Sequence, residues 1–366
     1  MASELSLEEL RRLIDDVDKQ VVQLLNRRAE VAIRIGEFKR QMGLEVWSPV
    51  REAEVLDRVI KNSAGPLLPE TLRSIFRELM SGSRKLQQRV RVACLGPEYS
   101  YSHLALLSKF GDGVDAITVS TIGAVFEEVN RKRVEYGIVP LENSTDGRIA
   151  DTLDMFVKLP HIKIRAEVRL RIHHCLAARC ALSDVRQVYS RPQALSQCRH
   201  WLSKNLGHAA LIETLSTAAA AERACNEEFA AAIASQPAIL AHGLQVLAPN
   251  IEDQHHNVTR FAVISDRCEE GTGVDKTTLM LKLGNHPGAL VHALEPFLSN
   301  GVNMTWIESF PDPYGNPNRD PAYLFFIDIE GHSRDDAIRA TLDQVAGCCE
   351  QVEVLGSYPK TECVDY

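Results

Sequence analysis

An arginine interrupts an apolar seam. From Leu7 the chain carries Leu10, Ile14, Val17, Val21, Leu24, Arg28, Val31, Ile35 and Phe38, in steps of 3 and 4 that place them along one face of a helix. A guanidinium buried there without an anion costs several kcal/mol. Either a core carboxylate such as Asp18 neutralises Arg28, or the side chain belongs to a site for an anionic ligand. Its surroundings favour the second. Lys39 follows three turns on and about the same face, Arg11 lies on the adjoining stripe, and Arg51-Glu52 opens the next helical stretch. Ser83 and Gln87 stand one turn apart in a third. Four cations beside one obvious acid make a pocket for a dianion.

A different chemistry gathers further along. LGPEYSYSHLA (95–105), VPLENSTDG (139–147), YSRPQALSQC (189–198) with LSTAAA (215–220), and NVTRF (257–261) each begin where a predicted strand ends. In α/β folds such loops collect ligand groups. Singly each has a plain reading: Gly96-Pro97 as a turn, Asn143-Ser144-Thr145 as the cap of a helix over 148–158, and Ser216-Thr217 as the cap of the next. Jointly they assemble hydroxyl and amide donors with no Cys-His pair, no metal-spaced histidines and no GxGxxG. GTGVDKT at 271–277 has the wrong spacing for a phosphate loop. The pairs His173-His174 and His255-His256 would point to opposite sides of a strand. Metal and nicotinamide chemistry are therefore not expected, and no cofactor is required.

The elements that must hold these residues follow from periodicity. Residues 5–42 lack proline and read as one helix with Ser6 as N-cap and Glu9 as its capping-box partner. At about 1.5 Å per residue it runs roughly 55 Å, more than a ninety-residue monomer covers, so a partner chain is implied. The seam should pack along its length against another helix. Helices over about 49–63 and 69–89 follow, separated by Ser63-Ala-Gly-Pro. From Arg91 short apolar runs (VRVACLG, DAITVS, EYGIVPL, KIRAEVRL, VRQVYS, AALIET, FAAAIAS, TRFAVIS) alternate with helical stretches, the pattern of α/β layers. After the linker-like CEEGTG the order is strand 277–283, helix 288–299, strand 302–309, strand 322–329, helix 333–346, strand 351–357, a ferredoxin-like βαββαβ. Turn chemistry makes TWIESFPDPYGNPNRDPAYLFFIDIE (305–330) a hairpin. Three domains result: 1–90 all-helical, 91–270 α/β, and 275–366 α+β.

Bulk properties agree. The 366 residues are 45% hydrophobic and 25% charged with a formal net charge of −8, which gives no pull toward nucleic acid or an anionic membrane. Nine cysteines without a CxxC read as reduced core thiols. The start has neither a basic nor an apolar leader segment, and no run reaches 18 apolar residues, so a cytoplasmic location is expected.

Leu10-Arg11, Asp18, Arg28, Gly36, Lys39, Arg51-Glu52, Ser83 and Gln87 follow the spacing of the all-helical chorismate mutases, which the first segment resembles throughout. The resemblance implies an intertwined homodimer or larger homo-oligomer, with Arg11 entering the partner's site. Arg11, Arg28 and Arg51 would hold the two carboxylates of chorismate, Lys39 and Gln87 would donate to the ether oxygen, and Glu52 would take the ring hydroxyl. Ser83 belongs to the substrate shell. Ser48 departs from the Asp of many relatives.

Residues 91–268 resemble the prephenate dehydratases, whose two lobes are like those of a periplasmic binding protein with substrate between them. Thr259-Arg260-Phe261 matches their most characteristic triplet, in which catalysis turns on the threonine. Thr has no useful acidic pKa, so Thr259 is a positioned proton donor for the departing hydroxyl of prephenate. Glu142, Asn143, Ser144, Ser190, Gln197, Ser216, Thr217, Arg260 and Phe261 form its candidate shell. Arg191 stands where relatives usually have His, and Tyr99 where Gly is common.

The last ninety residues resemble an ACT regulatory domain. Gly288-Ala289-Leu290-Val291 matches its first effector motif, where a helix N-terminus can meet a ligand carboxylate. The second motif, usually Glu-Ser-Arg-Pro, is Glu308-Ser309-Phe310-Pro311, with Asn303 nearby. Phenylalanine is the expected effector, with strength or coupling altered by Phe310. Mutase, dehydratase and regulatory module in this order resemble the bifunctional enzymes of phenylalanine biosynthesis. A ligand sensor that has lost its chemistry, or a preference for arogenate, are the alternatives.

Overall fold

The structure is a computed structural model that describes residues 6–145, 147–254, 256–312 and 323–364. By its contacts the chain divides into two compact units, one made of residues to Val90 with Phe110–Asp115, the other of Arg91–Lys109 and Ala116 onward. No helix among the described residues is long and apolar enough to cross a membrane.

In the first unit α1 (Leu7–Gln41), α2 (Pro49–Lys61) and α3 (Pro69–Gln87) form where the breakers predict them. Ser6 and Glu9 close the capping box on α1, and Ser48 caps α2 through the Arg51 N–H. Ser48 therefore has a local use where relatives have Asp. The expected seam is not covered by the chain's own helices: Leu10, Ile14, Val17, Val21, Leu24 and Phe38 are exposed. What α3 covers is the next stripe, where Ala32 and Gly36 are buried. At Gly36 a Cβ would run into the side chain of Gln87, so only glycine permits this approach.

The second unit begins with β1 (Arg91–Leu95), α4 (Tyr101–Phe110), β2 (Asp115–Val119), α5 (Ile122–Asn130), β3 (Tyr136–Asn143), β4 (Gly147–Arg148), α6 (Ala150–Lys158) and β5 (Lys163–Arg171). The chain then crosses to a second lobe made of β6 (Cys175–Ala178), β7 (Gln187–Ser190), α7 (Pro192–Gln197), α8 (Arg199–Asn205), β8 (Ala210–Glu213), α9 (Thr217–Cys225), β9 (Ala230–Ala234), α10 (Gln236–Ala241) and β10 (Gln245–Ala248). It returns as β11 (Val258–Ser265), which inserts between β3 and β5. Each lobe has its own sheet, and two crossing segments join them. Tyr99, which stands where Gly is common in the family it resembles, adopts φ +62°.

The remainder is β12 (Asp275–Leu283), α11 (Ala289–Ser299), β13 (Met304–Pro311), β14 (Tyr323–Glu330), α12 (Asp336–Ala346), β15 (Gln351–Pro359) and β16 (Cys363–Val364). The sheet order β13-β14-β12-β15, antiparallel throughout, is the ferredoxin-like one. β13 and β14 pair as a hairpin, and the Pro- and Gly-rich residues 313–322 between them lie outside the described residues.

One face of this sheet packs on the first lobe. Met280, Phe326, Leu355 and Tyr358 share a core with Val139, Phe156, Ile164 and Ala262, and β16 pairs with β5. At Gly356 a Cβ would fall inside the van der Waals shell of the Ile164 carbonyl. Gly356→Ala should therefore push the two sheets apart and destabilise this unit by about 1–3 kcal/mol. Calorimetric melting would show its transition moved down, with the helical unit's unchanged.

Candidate active sites

In the helical unit Arg28 and Lys39 point from α1 toward α3 and the α1–α2 turn, both half-buried. Arg28 Nη1 donates to Ser83 Oγ at 2.5 Å and to Leu79 O at 3.3 Å, and Ser83 donates to Leu79 O in turn. Asp18 is not its partner. Lys39 Nζ donates to Val46 O at 2.8 Å. Both hold their charge against burial, which pulls each pKa below its ordinary value. Gln87 Oε1 is buried with no hydrogen-bond partner among the described residues. Arg28 and Lys39, hydrogen-bonded to neutral groups with the Glu45 carboxylate acting on Lys39, form the anion-seeking half of a site, and Gln87 on the facing helix packs against Gly36.

Three further candidates make no hydrogen bond to Arg28, Lys39 or Gln87 among the described residues. Glu52, expected at the substrate's ring hydroxyl, accepts from Trp47 Nε1 at 3.0 Å and from the buried guanidinium of Arg84, one on each carboxylate oxygen. Arg84, which sequence reasoning missed, also donates to Phe110 O. Its signal resembled that of Arg28: a cation four residues after Met80 on a buried stripe. Arg51 is exposed and paired with Glu54 at 2.6 Å, and Arg11 is exposed on α1.

In the second unit the crossing segments bind each other, Ile172 N–H to Asn257 O at 2.9 Å and Ile251 N–H to His174 O at 2.8 Å. Around them runs a chain of side chains. Asn143 Nδ2 donates to Thr259 Oγ1 at 2.8 Å and to Asn257 Oδ1 at 2.9 Å. Asn257 Nδ2 donates to Gln197 Oε1 at 3.1 Å, and that oxygen lies 2.9 Å from His174 Nε2. Tyr101 Oη is 3.1 Å from His174 Nδ1 and donates to His173 O at 2.6 Å. Thr259, Asn143, Asn257 and His174 are buried, and burial lowers the His174 pKa. A cavity of about 80 Å³ beside the crossings, lined by Tyr101, Leu170, His173 and Ser235, has room for more than one water.

Thr259, Asn143 and Gln197 thus come together, one from each of β11, β3 and α7. The other candidates serve the scaffold. Ser144 stitches the Asn143 loop to Val258 N–H and His256 O rather than capping α6. Ser190 donates to Ile233 O at 2.7 Å. Ser216 caps α9 through the Ala219 N–H, and Thr217 is buried as the first helical residue.

Arg260 is a candidate for the substrate shell, but strand alternation turns it away from Thr259 toward the C-terminal sheet. It donates to Glu142 at 2.9 Å, Glu167 at 3.0 Å and Asp328 at 2.7 Å, with Lys276 beside the last two. Burial works against its charge, yet Asp328 and Glu167 raise its pKa above the ordinary range. Glu142 is therefore a partner of Arg260, and Phe261 is wholly buried.

At the C-terminal sheet Gly288 takes φ +86° ahead of α11; behind it Ala289 is buried, Leu290 packs on the core and Val291 is exposed. Asn303 donates to Glu330. Glu308 is held by Arg148 of β4 at 2.6 Å, and the same guanidinium donates to Ser309 O and lies 5.9 Å from the Phe310 ring centre. Phe310 is buried edge-on against Phe326. An arginine thus stands at the second motif after all, delivered by a different strand.

The family described as prephenate dehydratase matches residues 92–269, and that of chorismate mutase type II matches 10–88. A bifunctional chorismate mutase/prephenate dehydratase of Aquifex aeolicus is 41% identical over 97% of this chain and 98% of that protein. Its namesake from Stutzerimonas stutzeri is 39% identical over 97% and 98%. The crystal structure of a prephenate dehydratase from Arthrobacter aurescens, in complex with L-Phe, gives a TM-score of 0.67 at 33% identity, covering 74% of this chain and 90% of that one.

Proposed function

This chain belongs to the bifunctional chorismate mutase/prephenate dehydratases of phenylalanine biosynthesis, which rearrange chorismate to prephenate and convert prephenate to phenylpyruvate, and from that premise we propose which residues carry each step. The first reaction is pericyclic. It needs a compact substrate conformer and donors on the breaking ether bond, and no nucleophile. Arg28 and Arg51 bind the carboxylates, together with Arg11 supplied by the partner of a homodimer or larger assembly. Lys39 and Gln87 donate to the ether oxygen, Ser83 orients Arg28, and Glu52 supports the pocket wall through Trp47 and Arg84. The exposed apolar seam of α1 is the surface a partner would cover.

In the second reaction the ring carboxylate leaves as CO2. Its electrons pass through the ring to expel the hydroxyl, which gains a proton and departs as water. The observation that carries the assignment is the Asn143–Thr259 bond: Asn143 donates to Oγ1, so the Thr259 hydrogen is directed elsewhere and is available to the leaving group. Residues 275–366 act as an ACT domain that binds phenylalanine at the Gly288–Val291 turn, Asn303 and Glu308-Ser309, and the enzyme works in the cytoplasm. The ferredoxin-like sheet order and the positive φ of Gly288 support that role.

Purified protein fed chorismate should release prephenate and then phenylpyruvate, and phenylalanine should bind with measurable heat and slow the second step. An intact fold that makes no phenylpyruvate would sink the dehydratase assignment. No heat and no inhibition at millimolar phenylalanine would sink the effector assignment alone.

A further inference from the structure

We propose that His174 and Asn257 are positioning residues for the dehydratase step, acting through the amides of Gln197 and Asn143 on the hydroxyl of Thr259. The inference rests on Thr259 being the proton donor.

The direction of every bond in the chain follows from one group whose role is chemically certain. The backbone N–H of Thr145 donates to Asn143 Oδ1 at 2.9 Å, which makes Nδ2 the end of that amide facing Asn257 and Thr259. Asn257 must then present Oδ1 to Asn143 and Nδ2 to Gln197. Gln197 in turn presents Oε1, so His174 Nε2 must carry a hydrogen and donate it. Nδ1 of the same ring then carries the lone pair and faces the Tyr101 hydroxyl at 3.1 Å, whose one hydrogen is shared with His173 O at 2.6 Å. The backbone N–H of His174 is anchored on the Glu252 carboxylate at 2.9 Å.

Reversing any amide sets donor against donor or acceptor against acceptor, so the chain holds in this polarity or not at all. Its consequence falls on Thr259. Both hydrogens of the Asn143 amide are assigned, one to Asn257 and one to Oγ1, and the threonine hydrogen is thereby turned toward whatever occupies the cleft. His174 and Asn257 sit on the two opposite crossings and are linked to Thr259 through these amides.

Removing the Nε2 donor should lower kcat for phenylpyruvate formation while leaving KM for prephenate nearly unchanged, because the interaction matters only as the hydroxyl departs. His174→Leu should lose about 10- to 100-fold in kcat with KM moved by less than about 3-fold. His174→Gln places an N–H near the Nε2 position and should restore kcat to within about 5-fold of the parent. In a Thr259→Ala background His174→Leu should cause no further loss. Should His174→Leu not fold, Asn257→Asp keeps the shape and replaces the donor to Gln197 by an acceptor; it should also lose about 10- to 100-fold in kcat.

Equal impairment of the Leu and Gln variants, losses that add to that of Thr259→Ala, or an unchanged kcat in Asn257→Asp would each overturn the proposal. Thr259→Ala separates it from its premise. If that variant still makes phenylpyruvate, the donor assignment fails; if it is inactive while His174→Leu matches the parent, only the positioning role fails.

Discussion

Thr259→Ala, fed chorismate, should make prephenate at the parent rate and stop there. Phenylpyruvate formation should fall by about 10²- to 10⁴-fold, the usual contribution of a positioned proton donor. Fold loss is not the route to this effect. Thr259 is small, its backbone is held between β3 and β5, and removing its hydroxyl deletes one hydrogen bond, the one from Asn143. Thr259→Val, nearly the same shape, should behave as Thr259→Ala does, and Thr259→Ser should recover part of the rate. Chromatography of the product mixture reads the result directly. Loss of both activities with an intact fold would show that the two reactions do not have separate sites.

The converse variant lies in the helical unit. Lys39→Ala should lower mutase kcat by about 10²- to 10³-fold, as removal of a preorganised donor to a developing oxyanion does. Conversion of supplied prephenate should not change. Burial already lowers the Lys39 pKa, and the amine must be protonated to donate, so kcat/KM for chorismate should fall on the alkaline side before an ordinary lysine would titrate. An alkaline limb that is unchanged in Lys39→Arg, whose guanidinium stays charged, would assign that titration to another group.

Much of this was legible in advance because it is local. The capping box of α1, the prolines that open α2 and α3, and the strands with β-branched runs all declare themselves within a few residues. β6 and β10 did not, being four residues each and lacking a strong alternating pattern. β16 is two residues long and exists only because β5 offers an edge. At the sites the division is similar. Arg28 announced itself by breaking a periodic pattern, whereas the use of Glu52 depended on Arg84, thirty-two positions away. Asn143, Gln197 and Thr259 could be singled out from their clusters. That His174 and Asn257 join them is a property of the two crossings, which no periodicity reports. Arg260 is a different case: alternation from Thr259 already placed it on the far face of the strand, and its three acidic partners come from three separate strands.

Arg148 changes the meaning of Phe310. Where the motif it resembles reads Glu-Ser-Arg-Pro, this chain has Phe310, and the guanidinium beside Glu308 is that of Arg148 on β4, which pairs with Glu142 across the β3–β4 ladder. A C-terminal segment transplanted from a relative that reads Glu-Ser-Arg-Pro would bring a second guanidinium to the place that Arg148 already fills, like charge against like around one carboxylate. A chimera at that boundary has to carry residue 148 along with the graft. The order of parts along this chain looks modular, but its natural unit of exchange does not end at the linker.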